Sequence, residues 1–392
     1  MNQVKRLDQI DIDNKAVCLR VDYNVPFKED GSIADDSRIT ATLATIKYLR
    51  EKGCGIVILS HRGRPKGKRD EALSLRPIAE HLGHLLNTKV TLQSELEPAC
   101  KPAQGEIMML ENLRFWPGEE KPESDPDFAS KLAAFGDAYV NDAFAVSHRK
   151  HTSVWSLPKL FPSLAAAGLL MEKELEELGR LTHNPERPFY AVIGGSKVST
   201  KLGVIEALLG KVNALMIGGG LAYTFLKAKG IDVGTSLVED DLLEKAKETL
   251  ESAETKGVKI HLPIDLLVSE DIDARAPARR VDTAAIGSCS GVSIGPKTVE
   301  AWSKELVSAK TVFWNGPLGI YEMEPYRGPT IDFAHKLAEN REALTIAGGG
   351  DCIAAIHAAG VAGSFGYLST GGGATLELLE FGTLPGVEVL KN

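Results

Sequence analysis

Leu344-Thr345-Ile346-Ala347-Gly348-Gly349-Gly350-Asp351 decides the fold: a short apolar run, three glycines, and then a segment of helical periodicity. The pattern recurs at Phe365-Gly366-Tyr367-Leu368-Ser369-Thr370-Gly371-Gly372-Gly373-Ala374. A strand that turns through glycine into a helix lets the backbone approach a ligand closely. It also aims free N–H groups at that ligand, where the helix dipole favours an anion. Working back along the chain, Tyr190–Ile193 leads to Gly194-Gly195-Ser196-Lys197, Ala214–Ile217 leads to Gly218-Gly219-Gly220, and Thr311–Phe313 leads to Trp314-Asn315-Gly316-Pro317. Four of these five corners carry two or three consecutive glycines, each after a strand, and imply a phosphate site made largely of backbone.

The first half alternates in the same way but furnishes its corners differently. Strand-like segments at Ala16–Val21, Gly55–Ser60, Lys89–Leu92, Glu106–Leu110 and Ala138–Val140 are separated by helical stretches. These run from Ser37 as N-cap through Ile46 and Leu49 to Gly53, over Leu75–Asn87, and near Phe128–Phe135. Such alternation predicts a parallel sheet flanked by helices, with ligands beyond the carboxyl ends of its strands. The strand-exit loops there hold Asp22, Asn24, His61, Arg64, Arg114 and Arg149. Glycine corners suit a nucleotide's phosphate chain, whereas arginines capture small carboxylates and phosphates. Two substrates, one per domain, are expected, with transfer between them.

At 392 residues the chain exceeds one ordinary core. The expected fold class is α/β: two Rossmann-like domains, each a parallel sheet flanked by helices, joined by a helical hinge. The charged helical stretch Gly168–Leu178 and the breaker Thr182-His183-Asn184-Pro185 mark that hinge. The net charge of −8 argues against broad binding to nucleic acid or anionic membrane. Five scattered cysteines, no apolar signal region at Met1–Arg6 and no bilayer-length apolar run lead to the expectation of a cytoplasmic protein.

Neither common nucleotide fingerprint is present. Gly63-Arg64-Pro65-Lys66-Gly67-Lys68 is one residue short of a P-loop and is followed by Arg69, and no G-x-G-x-x-G follows a strand. Lys197 and Lys201 are four apart, so a helix from that corner would carry both on one face near its positive end, where an anion would offset them. Asp351 reads equally as a helix cap or as a carboxylate holding Mg²⁺ against phosphates. Glu322 reads as a surface carboxylate or a ribose hydroxyl acceptor. His61 and His148 read as hydrogen-bond donors or as structure, and His151 has no identifiable partner.

The motifs Arg20-Val21-Asp22-Tyr23-Asn24-Val25-Pro26, Ser60-His61-Arg62-Gly63-Arg64-Pro65, Gly194-Gly195-Ser196-Lys197-Val198, Trp314-Asn315-Gly316-Pro317 and Ser369-Thr370-Gly371-Gly372-Gly373 resemble, in order and spacing, those of the phosphoglycerate kinases. The resemblance runs from the first strand to the last helix. It implies reversible phosphoryl transfer from 1,3-bisphosphoglycerate to Mg-ADP, giving 3-phosphoglycerate and Mg-ATP in glycolysis, by direct in-line transfer after domain closure in a monomer. Transfer to a carboxylate needs no general base. The implied acidic-substrate site is Asp22, Tyr23, Asn24, Arg38, His61, Arg62, Gly63, Arg64, Arg114 and Arg149. The implied nucleotide site is Ser196, Lys197, Lys201, Gly219, Gly291, Ile320, Glu322, Gly348, Gly349, Gly350, Asp351 and Cys352, with Mg²⁺ at Asp351. Arg38, Lys201, Gly350 and Gly373 would act on the phosphoryl group in transit. Domains are then expected at 1–170, 186–376 and a hinge at 171–185, with 377–392 returning to the first domain. Arg62, Ser293 and Cys352 depart from the family's usual apolar residue, aspartate and threonine. A nicotinamide-dependent dehydrogenase and a non-enzymatic nucleotide-binding protein are the rival readings.

Overall fold

Ala16–Arg20, Ala-Val-Cys-Leu-Arg, is buried along its whole length, as a central parallel strand covered on both faces must be. It is β1 of a computed structural model that describes residues 4–273 and 277–391. Val17 and Leu19 face Ile46 and Leu49 of the helix Leu43–Glu51, and Ile78 and Leu82 of the helix Arg76–Leu86. Cys18 points the other way, its Sγ 3.8 Å from the Leu132 carbonyl of the helix Phe128–Ala133. With β2 (Gly55–Leu59), β3 (Val90–Gln93), β4 (Ile107–Leu110), β5 (Ala138–Asn141) and β6 (Ala165–Ala167) it forms a six-stranded parallel sheet in the order β3-β4-β2-β1-β5-β6. The chain leaves β1 toward β2 and returns on its other side at β5. Such a reversal opens a crevice at the carboxyl ends of these strands.

The second half builds another parallel sheet. Its strands are β7 (Phe189–Ile193), β8 (Ala214–Ile217) and β9 (Lys259–His261), then, after an excursion through β10 (Asp265–Ser269), β11 (Arg279–Asp282) and β12 (Ser290–Ile294), β13 (Thr311–Asn315), β14 (Leu344–Gly348) and β15 (Tyr367–Ser369). The order is β15-β14-β13-β7-β8-β9, with the reversal between β7 and β13. The excursion is an antiparallel sheet, β11-β10-β12, that the strand-and-helix pattern did not disclose. It is tied to the loop after β13: Ile294 N–H donates to the Leu318 carbonyl at 3.0 Å, and Ile320 N–H donates to the Val292 carbonyl at 2.8 Å.

The α/β class with two helix-flanked parallel sheets is therefore as expected. By contacts the chain divides into Met1–Glu176 with Thr383–Asn392, and Glu177–Gly382. In the first unit the C-terminal segment is anchored by Gly386 N–H on the Ser147 carbonyl at 2.8 Å and by Lys5 N–H on the Leu390 carbonyl at 3.0 Å. The helix expected from Ser37 to Gly53 comes in two pieces, Ser37–Thr40 and Leu43–Glu51, with Asp36 in the N-cap position instead of Ser37. The break falls where the Thr42 hydroxyl bonds the Ile39 carbonyl at 2.9 Å and the Tyr23 hydroxyl at 2.7 Å, offering the backbone a local alternative.

Glycine is needed where β7 and β13 open. A Cβ on Gly194 would lie 2.1 Å from the Pro317 carbonyl oxygen and 2.7 Å from that of Gly316, both backbone atoms of the facing corner. Gly194→Ala is expected to cost about 1–3 kcal/mol, the range for overpacking a close-packed site. Urea unfolding should show a lower midpoint at unchanged slope; an unmoved midpoint would mean that the corners are not in fixed register.

Candidate active site

The glycine corners of the second unit surround a cleft of about 630 Å³. One end is apolar: Tyr223, Val292 and Ile320 line it with Leu237 and Ile272, which remain about half exposed. The other end is polar, and helices open onto it. The helix Gly350–Ala358 begins after Gly349 at φ +98°, and the helix Gly373–Phe381 after Gly372 at φ +51°. These left-handed conformations favour glycine. The opening N–H groups of each helix have no partner within it and carry the positive end of its dipole. The Gly371 N–H is occupied, donating to Ser369 Oγ at 3.2 Å, so the donors left to a ligand at that corner begin at Gly372.

Lys201 enters the same cleft. Its ammonium donates to Asn315 Oδ1, while Asn315 Nδ2 donates to the Gly348 carbonyl at 2.9 Å. Among the described residues it has no carboxylate partner, and burial lowers its pKa to about 8. A half-buried cation held only by an amide oxygen is costly unless an anion joins it. Asp351 and Glu322 are also in the lining. Partial burial first, and the Glu322 charge second, push the Asp351 carboxyl upward.

The expectation of Lys197 and Lys201 on one helix face is corrected. Val198–Thr200 form a 3₁₀ turn and the α-helix starts only at Leu202, with Lys201 as its N-cap residue. Ser196, Lys201, Gly291, Ile320, Glu322, Gly349, Gly350, Asp351 and Gly373 line the cleft; among the described residues, Lys197, Gly219, Gly348 and Cys352 do not. Cys352 is fully buried, with Sγ 3.9 Å from the Trp314 carbonyl, because its place on the helix points to the core. Ser293 is buried as well, opposite Gly319.

In the first unit the loops after β1, β2, β4 and β5 bring cations together. Arg38 Nη1 is 2.5 Å from Asp22 Oδ2, and His61 Nδ1 is 3.8 Å from Asp22 Oδ1. Arg114 Nη1 donates to the Gly63 carbonyl at 2.8 Å and pairs with Glu120 at 3.1 Å. Asn24 Oδ1 accepts the Gly63 N–H at 2.9 Å, fixing the loop that carries the exposed Arg64. Arg62 is tied down, its guanidinium 3.5 Å from the Phe27 ring centroid and bonded to the Ser74 carbonyl at 3.1 Å. The Tyr23 side chain turns into the core toward Thr42.

Three imidazoles share this field. Burial, then Arg20, Arg114, His151 and Arg38, hold His61 well below its usual value. Burial and Arg149 take His148 to about 4; burial, Arg114, Arg20 and Arg149 take His151 to about 3. All three are neutral at pH 7. Sequence patterns assign no role to Arg20, His151, Asn315 or Glu119. Only Arg20 carried a signal: a charge closing an otherwise apolar strand.

Residues 7–381 match the family model described as phosphoglycerate kinase. The chain belongs to the phosphoglycerate kinase family. The family's reaction is phosphoryl transfer between 1,3-bisphosphoglycerate and ADP. The chain is 47% identical over 385 residues to the phosphoglycerate kinase of Chlamydia caviae, covering 96% of this chain and 95% of the relative. It is 46% identical over 400 residues to that of Chloroflexus aggregans, covering 99% of each. The solved phosphoglycerate kinase from Coxiella burnetii superposes with a TM-score of 0.87 at 38% identity, over 99% of this chain and 98% of that one. The one from Pyrococcus horikoshii OT3 gives 0.86 at 32% identity, over 98% of each.

The neutral histidines set a pH dependence. Their folded values lie below the 6.5 of a free imidazole, so as pH falls the unfolded chain takes up protons first and folding loses stability. Urea midpoints should therefore decline from about pH 6.5 toward pH 4. His148→Gln should flatten part of that decline; an identical slope would show that His148 titrates normally.

Proposed function

We propose that this chain catalyses reversible phosphoryl transfer from 1,3-bisphosphoglycerate to ADP, with the acidic substrate held in the first unit and the nucleotide in the second. The cleft of the second unit carries this reading. It offers an apolar slot at one end, and an ammonium with no carboxylate partner among the described residues and two helix N-termini at the other, the complement of a flat base joined to a phosphate chain. The dehydrogenase alternative finds no support in the family assignment.

In this reading Ser196, Gly291, Ile320 and Glu322 attend the nucleoside side. Lys201 and the Gly349–Asp351 corner receive the phosphates. Asp22, Asn24, His61, Arg64, Arg114 and Arg149 orient 3-phosphoglycerate through charge-assisted hydrogen bonds. Arg38 from one side, and Lys201 with the N–H groups at Gly350 and Gly373 from the other, stabilise the charge of the phosphoryl group in transit. The acceptor carboxylate carries no proton, so catalysis rests on positioning and electrostatics. Mg²⁺ is proposed to come with the nucleotide and supplies charge neutralisation on its phosphates. Asp351 beside Glu322 fits that role, since such an ion takes one or two carboxylates and leaves the rest to phosphate and water. Closure about the connecting helix Leu169–Thr182 is proposed to precede transfer and to exclude water. We place the reaction in the cytoplasm and the active species as a monomer. Among the described residues no helix is long and apolar enough to cross a membrane.

A coupled assay with 3-phosphoglycerate and Mg-ATP should form 1,3-bisphosphoglycerate; no product would remove the assignment. Arg38→Ala should lower turnover by about a hundredfold or more while ADP binding is retained. A large loss of ADP affinity would place Arg38 wrongly.

Lys201 gives a pH signature. A bound phosphate raises its pKa from about 8, so binding takes up a proton above that value. ADP affinity should then fall above about pH 8, where the phosphates no longer titrate. Lys201→Arg should bind with no fall in that range. A wild-type profile flat to pH 10 would sever Lys201 from the phosphates.

A further inference from the structure

Beneath the basic cluster of the first unit runs a line of buried side chains with no assigned role. Glu119, in the short helix Pro117–Glu120, is fully buried. Its Oε2 accepts the Ser153 backbone N–H at 3.0 Å, and its Oε1 accepts the Ser153 hydroxyl at 2.6 Å. That hydroxyl accepts Arg20 Nε–H at 2.7 Å, and Arg20 Nη2 stands 3.9 Å from Glu119 Oε1. The Arg20 side chain is itself 1% exposed. Its Nη1 donates to the Val21 carbonyl, and its Nη2 lies 3.4 Å from His61 Nδ1.

Guanidinium has donors only, so this last contact makes Nδ1 an acceptor. A neutral imidazole then carries its proton on Nε2. Asp22 Oδ1, 3.8 Å from the same Nδ1, favours the opposite tautomer. It is the more distant group, and its other oxygen is taken by Arg38 at 2.5 Å. Burial pushes the Glu119 carboxyl up, and Arg20 and the two Ser153 donors oppose that shift. Removing the carboxylate would leave the Arg20 charge buried without its counter-charge, free to leave the imidazole.

We propose that Glu119, acting through Ser153 and Arg20, is a positioning residue that fixes His61 as an Nε2–H donor to the acidic substrate. The inference rests on the placing of 3-phosphoglycerate in the first unit. Glu119 touches no substrate; it sets which ring nitrogen can donate.

The test is ¹⁵N NMR of the full chain with labelled histidine at pH 7, His61 being assigned by loss of its signals in His61→Gln. The wild type should show an unprotonated Nδ1 and a protonated Nε2, with Nε2 shifting on addition of 3-phosphoglycerate. Glu119→Gln should mix the two tautomers and raise KM for 3-phosphoglycerate about tenfold or more, as expected for a lost bond to a charged group, with KM for ADP unchanged. Ser153→Ala cuts the same line with Glu119 in place, and should act in the same direction should Glu119→Gln not fold. Wild-type tautomer and KM in either folded variant would make Glu119 purely structural. A protonated Nδ1 in the wild type would overturn the inference without any variant. Histidine signals that all stay unmoved by 3-phosphoglycerate would overturn the site itself, and the inference with it.

Discussion

A cation that is half buried and, among the described residues, has no carboxylate partner is the constraint on which the rest of the second unit depends. Lys201 is held by the Asn315 amide oxygen, and burial takes its pKa to about 8. Folding alone gains nothing from such an arrangement, because desolvating an ammonium costs more than one amide contact returns. Every neighbour is consistent with a ligand that settles the account. Asn315 ends β13 and is tied to the Gly348 carbonyl at the end of β14, while the helices at Gly350 and Gly373 aim their N-termini at the same space. The first unit handles charge differently. There, Arg38 leans on Asp22 and Arg20 on Glu119, so the guanidinium groups are held in place before any substrate comes.

Parallel sheets produce both sites from the same geometry. All strands point one way, so their exit loops converge on one edge, and the reversal in strand order opens a crevice there. In the second unit, glycine lets the β7 and β13 corners interlock: Gly195 N–H reaches the Pro317 carbonyl at 3.0 Å. In the first, side chains of four loops meet instead, and the imidazoles among them are kept neutral by burial and by the guanidinium groups around them.

Much of this was legible in the sequence for a physical reason. Strands buried on both faces must be apolar throughout, so β1, β2, β7, β8 and β13 announce themselves, and corners that press backbone on backbone must be glycine. The sheet of β10, β11 and β12 was not legible. Strand β11 carries Arg279, Arg280 and Asp282, three of its four residues exposed, and the pairing of β10 with β12 shifts register between Leu267 and Val268. Lys197 and Lys201 misled because a four-residue spacing implies one face only if the helix has begun, and here a 3₁₀ turn intervenes. Cys352 follows Asp351 in sequence, yet one step around a helix carries it from the cleft to the core. Arg62, a charge where the resemblance leads one to expect an apolar residue, is accommodated because Phe27 and the Ser74 carbonyl receive its guanidinium. Of the buried line Glu119, Ser153 and Arg20 only the last leaves a mark in the sequence, since its members are far apart in the chain and meet only in three dimensions.

The central claim is that a phosphoryl group passes straight between two substrates, each held by its own anion site, with no covalent stop on the protein. The most direct measurement is the stereochemical course at phosphorus, with an ATP whose terminal phosphoryl group is made chiral by oxygen isotopes and 3-phosphoglycerate as acceptor. Direct in-line transfer predicts inversion of configuration. Retention would require an intermediate phosphoryl-protein and would contradict the account.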